Sequence, residues 1–328
     1  MYFLDVGQAD SILVVCEGKT MLIDGGNVGD SSLVYSFLKS HDISHLDYIV
    51  STHAHEDHVG GLAGALNYAT VTTAFSPVTS YSSKAFESFV KYLDEQNVPI
   101  TIPTHGDTFT LGAATAQIIG PIKASNEPNN TSIVIRLTFG ETSFLFTGDA
   151  ERDEEQDILD AGYDLSATVL KVGHHGSDTS TTYPFLRAIM PEYAVISCGQ
   201  NNSYGHPHEN TMSRLRDADV AVFRTDMQGM VVCTSDGKTV SFTVERNAGA
   251  QTNETAPSTP TTTQPEATTS GQASDSNSVA GAYIGNINSH KFHLPSCRTL
   301  PAENNRIFFD SRDEAVSAGY DPCGNCKP

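Results

Sequence analysis

The stretch Ser51-Thr-His-Ala-His-Glu-Asp-His-Val-Gly-Gly61 constrains this chain more than any other. It reads H-x-H-x-D-H followed by a glycine pair. Leu46–Val50 ahead of it alternates and is rich in strand formers, so the motif lies on a loop leaving a strand. Gly60 and Gly61 are expected to turn that loop sharply into a short helix over 62–66. In extended chain His53 and His55 point the same way, and Asp57 and His58 lie past the bend, aimed at a second point nearby. Ligand-type side chains packed this densely can hold two metal ions, and imidazole with carboxylate suits zinc, manganese or iron. A polar loop with scattered histidines would not need this order, spacing and context.

Other segments carry chemistry of the same kind. Asp149 follows Gly148 at the end of the strand-like run 143–147, where a carboxylate can offer one oxygen to each of two metals; its competing role is the N-cap of a helix over 151–161. Gly173-His-His-Gly176 leaves another strand, and one of His174 and His175 is expected to reach the site as a ligand or as a donor to phosphate oxygens. Asp24 ends a strand in Leu22-Ile-Asp-Gly-Gly26 and is expected to orient the metal loop as an acceptor behind the ligands. Gln8 and Asp10 in the turn before Ser11 either share that work or only stabilise the turn. His105 reads as a surface turn.

Taken in order, Phe3–Ile12, Leu22–Gly26, Ser51–Gly61, Phe146-Thr-Gly-Asp149 and Leu170-Lys-Val-Gly-His-His-Gly-Ser177 resemble the metallo-β-lactamase superfamily. The branch they resemble most is the metallo-hydrolase domain of ComEC-type competence DNA-uptake proteins. The resemblance covers about residues 2–246, with Ala9 standing where that branch usually has glycine. It implies an αββα sandwich with the metals at one edge and a bridging role for Asp149. It also implies a place for His206, in Tyr204-Gly-His-Pro-His208, in the second metal's shell. The expected catalytic set is Asp57, Asp149, His174 and His175. The expected ligands of two zinc or manganese ions are His53, His55, Asp57, His58, Asp149 and His206.

The chain has 328 residues and a net charge of −20. Two domains are expected, a catalytic one over 1–247 and a small one over 281–328. Between them, 248–280 is almost all Thr, Ser, Ala, Pro, Gln and Gly and reads as a flexible linker. Such linkers are common in surface-exposed proteins, so an extracellular or cell-surface location is expected, although no secretory leader is visible before the first strand. No apolar run is long enough to span a membrane. The acidity counts against tight duplex binding, which normally rests on a basic surface. Cys16, Cys198 and Cys233 sit singly in apolar runs and read as buried thiols rather than a disulfide framework.

At the C-terminus, His293-x3-Cys297 and Cys323-x2-Cys326 have the spacing of a closed tetrahedral zinc site. A module this small needs such a staple. Residues 283–328 resemble the zinc-binding domain of the Ada DNA-repair methyltransferase. That family's methyl-accepting cysteine is the first of four ligands; His293 stands there instead, which argues against alkyl transfer.

Three functions compete at this stage. The first is a two-metal phosphodiesterase acting on DNA. The second is a hydrolase of another substrate, a phosphocholine ester of the cell envelope or a lactam. The third is a DNA- or surface-binding protein with a vestigial site, against which the intact motif argues.

Overall fold

A computed structural model describes residues 1–250, 252–253, 283–287, 289–295, 297, 300–301, 305–309 and 312–323. The chain divides into two compact units, Met1–Asn253 and Glu254–Pro328. Residues beyond 247 still pack on the first unit. Thr252 Oγ1 donates to the Val222 carbonyl at 2.5 Å, Val222 N donates to Asn253 Oδ1 at 3.2 Å, and Arg216 Nη1 donates to the Asn253 carbonyl at 2.8 Å. Val222 lies on the edge strand Ala221–Arg224, whose open backbone groups take partners from whatever chain runs past. Apolar content does not report that demand. Most of the expected linker, and Cys326, lie outside the described residues.

Two sheets build the first unit. One runs, edge to edge, Val240–Val244, Val231–Ser235, Tyr2–Phe3, Ile12–Cys16, Lys19–Ile23, His45–Val50, Thr70–Phe75 and Ile100–Thr101. The other runs Ala221–Arg224, Tyr193–Ile196, Val169–Lys171, Thr142–Phe146, Val134–Phe139, Ala114–Gly120 and Thr108–Leu111. The edge strands Ile100–Thr101 and Thr108–Leu111 are short, and in the second Phe109 and Leu111 turn toward the core.

Alternation along each strand sorts side chains into layers. Ile12, Val14, Met21 and Ile23 turn inward and meet Ile118, Ile135, Phe144 and Phe146 of the facing sheet. Leu13, Leu22 and Ile49 turn outward under the helices Ser31–Ser40, Leu62–Tyr68 and Lys84–Glu95. Leu145, Leu170 and Ile196 do the same under Arg152–Ala161, Tyr183–Ile189 and Glu209–Asp217. The result is the αββα sandwich. Helix Lys84–Glu95 opens on Ser83, whose hydroxyl accepts from Phe86 N at 3.2 Å. Its Phe86 and Phe89 are fully buried, and truncating either to alanine costs about 3–5 kcal/mol.

Parallel pairing decides where a site can form. Lys19–Ile23, His45–Val50 and Thr70–Phe75 are parallel in one sheet; Thr142–Phe146, Val169–Lys171 and Tyr193–Ile196 are parallel in the other. Asp24, the metal loop, Asp149, the His174–His175 pair and the loop bearing His206 all leave carboxyl ends of these strands, where open α/β sheets place their ligands.

Burial pushes the carboxyls of Glu154 and Glu155 up to about 7, against an ordinary value of 4.5. Between those values the native state keeps protons that the unfolded chain has lost, so stability falls as pH rises through this window. Their contribution to the thermal stability of the metal-free protein should shrink between about pH 5 and pH 7, giving the unfolding midpoint a downward component of slope there. Glu155→Gln should flatten that slope, and an unchanged slope would contradict the assignment.

The second unit holds a sheet ordered Arg306–Phe309, Tyr283–Asn286, Lys291–His293 and Asp321–Pro322, with helix Arg312–Ser317. Its buried core is small: Phe292, Phe309, Ala315 and Tyr320.

Candidate metal centre

The metal loop is held by close backbone approach. Gly25 N donates to the His58 carbonyl at 2.7 Å, and Gly61 N to the Gly26 carbonyl at 3.1 Å. A Cβ on Gly61 would lie 1.9 Å from the Gly25 oxygen, and one on Gly60 2.4 Å from Val28 N. Both glycines have ordinary negative φ, so the pair serves contact between the two loops, not the sharp turn expected from the sequence.

Asp24 fixes His58. Its Oδ1 accepts from Thr52 N at 2.8 Å; its Oδ2 accepts from Thr52 Oγ1 at 2.7 Å and from His58 Nδ1 at 2.8 Å. His58 Nε2 is thereby aimed at Asp149 Oδ1, 3.3 Å away, with Asp57 Oδ2 at 3.9 Å. On the other side His175 Nδ1 donates to the Ser197 carbonyl at 3.0 Å, and its Nε2 faces Asp57 Oδ2 at 3.3 Å and Asp149 Oδ2 at 3.6 Å. One ligand atom from each of Asp57, His58, Asp149 and His175 lies within 4.8 Å of the others. His53 Nε2 and His55 Nδ1 face each other at 3.1 Å, and the His53 ring centre is 4.2 Å from that of His58.

The donor set fits divalent cations. His58 Nε2, His175 Nε2 and Asp149 Oδ1 are buried without a hydrogen-bond partner, and all three converge. Buried polar atoms left this way call for an ion or water. The electrostatics agree. Burial works against charge on His58, yet the carboxylates of Asp149, Asp24 and Asp57 hold it well above the usual imidazole range. His175 is held at about 10, with burial overcome by Asp149 and Asp10. A cation bound there would take the place of those protons. Burial, and then His58, keep His53 well below its ordinary value, in the neutral form that coordinates.

The whole-chain pattern matches this geometry. Residues 4–200 match the family model described as the metallo-beta-lactamase superfamily, which is more than half of the chain. The chain belongs to the metallo-β-lactamase superfamily.

Among curated members it is 30% identical over 262 residues to ComE operon protein 3 of Bacillus subtilis, which covers 74% of this chain and 34% of that protein. It is 29% identical over 228 residues to competence protein ComA of Neisseria gonorrhoeae, covering 69% and 30%. Recombination protein 2 of Haemophilus influenzae is 31% identical over 235 residues, covering 70% and 28%. The chain thus spans about a third of the length of these relatives. Residues 268–328 match the metal binding domain of Ada. Both matches imply metal binding.

Within this metallo-β-lactamase sandwich the structure separates the two adjacent histidines. Both have left-handed backbones, φ 49° and 54°, and their rings stand 6.1 Å apart at 68°. His175 turns into the centre. His174 is partly exposed; its Nδ1 lies 3.0 Å from Glu151 Oε1 and its Nε2 3.7 Å from Asp149 Oδ2. His206 stands one ring further out, 6.4 Å from His175, with Gln8 Nε2 donating to its Nδ1 at 3.1 Å. Burial, then the imidazoles of His208, His174 and His175, push it down to about 4. His208 is the N-cap residue of helix Glu209–Asp217, and His105 Nδ1 bonds the Tyr163 hydroxyl at 2.8 Å in a turn.

Two contributors escaped the sequence reading. Lys171 is fully buried with its Nζ 2.7 Å from Asp10 Oδ2, and Asp10 Oδ1 lies 3.4 Å from His175 Nδ1. Its signal was present: a lysine inside an apolar strand must find a buried partner. Glu151 gathers the side chains of Asn129, Thr179 and His174; only its position two residues after Asp149 hinted at that.

In the second unit the ligand atoms of His293, Cys297 and Cys323 lie within 4.8 Å of one another, His293 Nδ1 being 3.4 Å from Cys297 Sγ. Cys323→Ser should lower the zinc content of the full chain by one equivalent and abolish the unfolding transition of the second unit. The first unit's transition should stay in place. Unchanged zinc content would contradict a site built on Cys323.

Proposed function

We propose that the first unit is a metal-dependent phosphodiesterase whose substrate is DNA. The observation that carries this reading is the convergence of buried His58 Nε2, His175 Nε2 and Asp149 Oδ1, none with a hydrogen-bond partner, with Asp57 at the carboxyl edge of both sheets. In this reading His53, His55, Asp57, His58, Asp149, His175 and His206 hold two ions, zinc or manganese. Those ions supply polarisation of the phosphoryl group and activation of water.

The chain's own residues do the rest. Asp149 lies between the imidazoles, with one oxygen toward His58 and the other toward His175 and His174. Asp24 and the Ser197 carbonyl fix the ring orientations of His58 and His175. His174, braced by Glu151 and open to solvent on one side, would face a phosphate oxygen of the substrate in this reading. The similarity to competence proteins supports DNA as the first substrate to try.

The net charge of −20 favours a second reading, a phosphocholine ester of the cell envelope, because an acidic surface repels a polyanion. On either reading the protein associates with the cell surface or its exterior, and the C-terminal unit is a structural zinc module. Among the described residues no helix is long and apolar enough to cross a membrane. The metal-loaded protein should be assayed on a generic phosphodiester, single-stranded DNA, a phosphocholine ester and a lactam. Cleavage of the first two at low salt is expected. Cleavage of the phosphocholine ester or lactam alone would overturn the DNA assignment.

A further inference from the structure

The loop 199–208 holds an exposed aromatic ring beside the metal centre. Tyr204 is 67% exposed. Its ring stands offset beside His206, with centres 5.6 Å apart and planes at 24°, and most of its surface stays open to solvent. The His206 ring in turn stands 5.6 Å from that of His174, which reaches Asp149. Tyr204 is therefore two ring steps from the centre.

Its position is built, not incidental. Asn202 staples the loop with four hydrogen bonds. Its Nδ2 donates to the Gly199 carbonyl at 2.9 Å and to the His206 carbonyl at 2.6 Å, and its Oδ1 accepts from Tyr204 N at 3.2 Å and His206 N at 3.0 Å. His208 Nε2 donates to the Tyr204 carbonyl at 3.0 Å. Gly199 N donates to Gln8 Oε1 at 3.0 Å, and Gln8 Nε2 donates to His206, so the loop and the ring beside Tyr204 share one anchor. A loop held this firmly keeps the ring's orientation without further loss of freedom on binding.

We propose that Tyr204 is a stacking platform for an unpaired nucleobase near the reacting phosphodiester, which makes single-stranded nucleic acid the favoured substrate form. The proposal rests on the phosphodiesterase reading. It also meets the charge objection to that reading. With a net charge of −20 the surface cannot draw a strand in by broad phosphate neutralisation, whereas base stacking on an aromatic ring is independent of net charge and tolerates any base. A duplex keeps its bases stacked within itself and cannot use the platform.

The chain contains no tryptophan, so Tyr204→Trp installs a single fluorescent reporter at the platform. The full-length, metal-loaded variant is titrated with a short oligothymidylate and with an abasic oligomer of equal length and charge. Saturable quenching by the oligothymidylate but not by the abasic strand is expected; equal responses, or none, overturn the platform. In parallel Tyr204→Ala should raise KM for the oligothymidylate by about ten- to a hundredfold, with Tyr204→Phe restoring it. An unchanged KM also overturns the platform. The phosphodiesterase reading fails separately, if the unmodified protein cleaves no phosphodiester at all while quenching is still base-dependent.

Discussion

Asp149→Asn should lower phosphodiester cleavage by about a thousandfold, the scale seen when a group that positions reacting charge is lost. Asparagine keeps the volume and one oxygen but removes the negative charge that His58 and His175 face from opposite sides. Metal affinity should fall with activity, and adding excess metal should recover only part of the loss. The fold should survive, because Asp149 sits on a loop at the sheet edge and its backbone N–H still donates to Ser132 Oγ at 3.0 Å. Circular dichroism of the metal-free variant should match that of the parent protein. Activity within tenfold of the parent would remove Asp149 from the centre.

The second large effect is on stability. Lys171→Ala should cost about 3–5 kcal/mol in urea unfolding, because it strands the Asp10 carboxylate in the interior. The pair bridges the two sheets: Lys171 ends a strand of one, while Asp10 N donates to the Asp57 carbonyl of the metal loop at 3.1 Å beside the other. Burial alone would push the Asp10 carboxyl up, yet Lys171 and His175 hold it down to about 2. Its folded value lies below the unfolded one, so the contribution is present above about pH 4 and is lost as pH falls toward 2. Replacing both residues by apolar ones of similar volume should recover much of the cost, whereas either single change should not. A loss below about 1 kcal/mol for Lys171→Ala would show that the pair bears no such strain.

The parts of the site that were legible in sequence are those whose chemistry is local. His53, His55, Asp57 and His58 share one loop, and Asp149 carries its context in the residues just before it. The αββα layering was legible through the ordered motifs that carry the family resemblance, since each lies where a strand ends. What escaped depends on distance or backbone conformation. Adjacent left-handed residues send the His174 and His175 rings different ways, and no neighbouring side chain announces that. The roles of Gly60 and Gly61 come from a loop more than thirty residues upstream that presses against them. The Asp10–Lys171 pair joins residues 161 positions apart in the chain, so the lysine's need for a buried partner does not by itself point to Asp10. Thr252 and Asn253 bond the edge strand at Val222, and hydrogen-bond demand of that kind leaves no mark on hydropathy.

The most direct test of the account is metal-dependent cleavage of a single-stranded oligonucleotide at low salt. The protein should be stripped with a chelator, assayed, and assayed again as manganese or zinc is returned in known amounts. Cleavage should disappear on stripping and return as the first unit takes up two equivalents, with Asp149→Asn silent throughout. Full cleavage by the stripped protein, or none by the fully loaded one, would contradict a metal-dependent phosphodiesterase built on this centre.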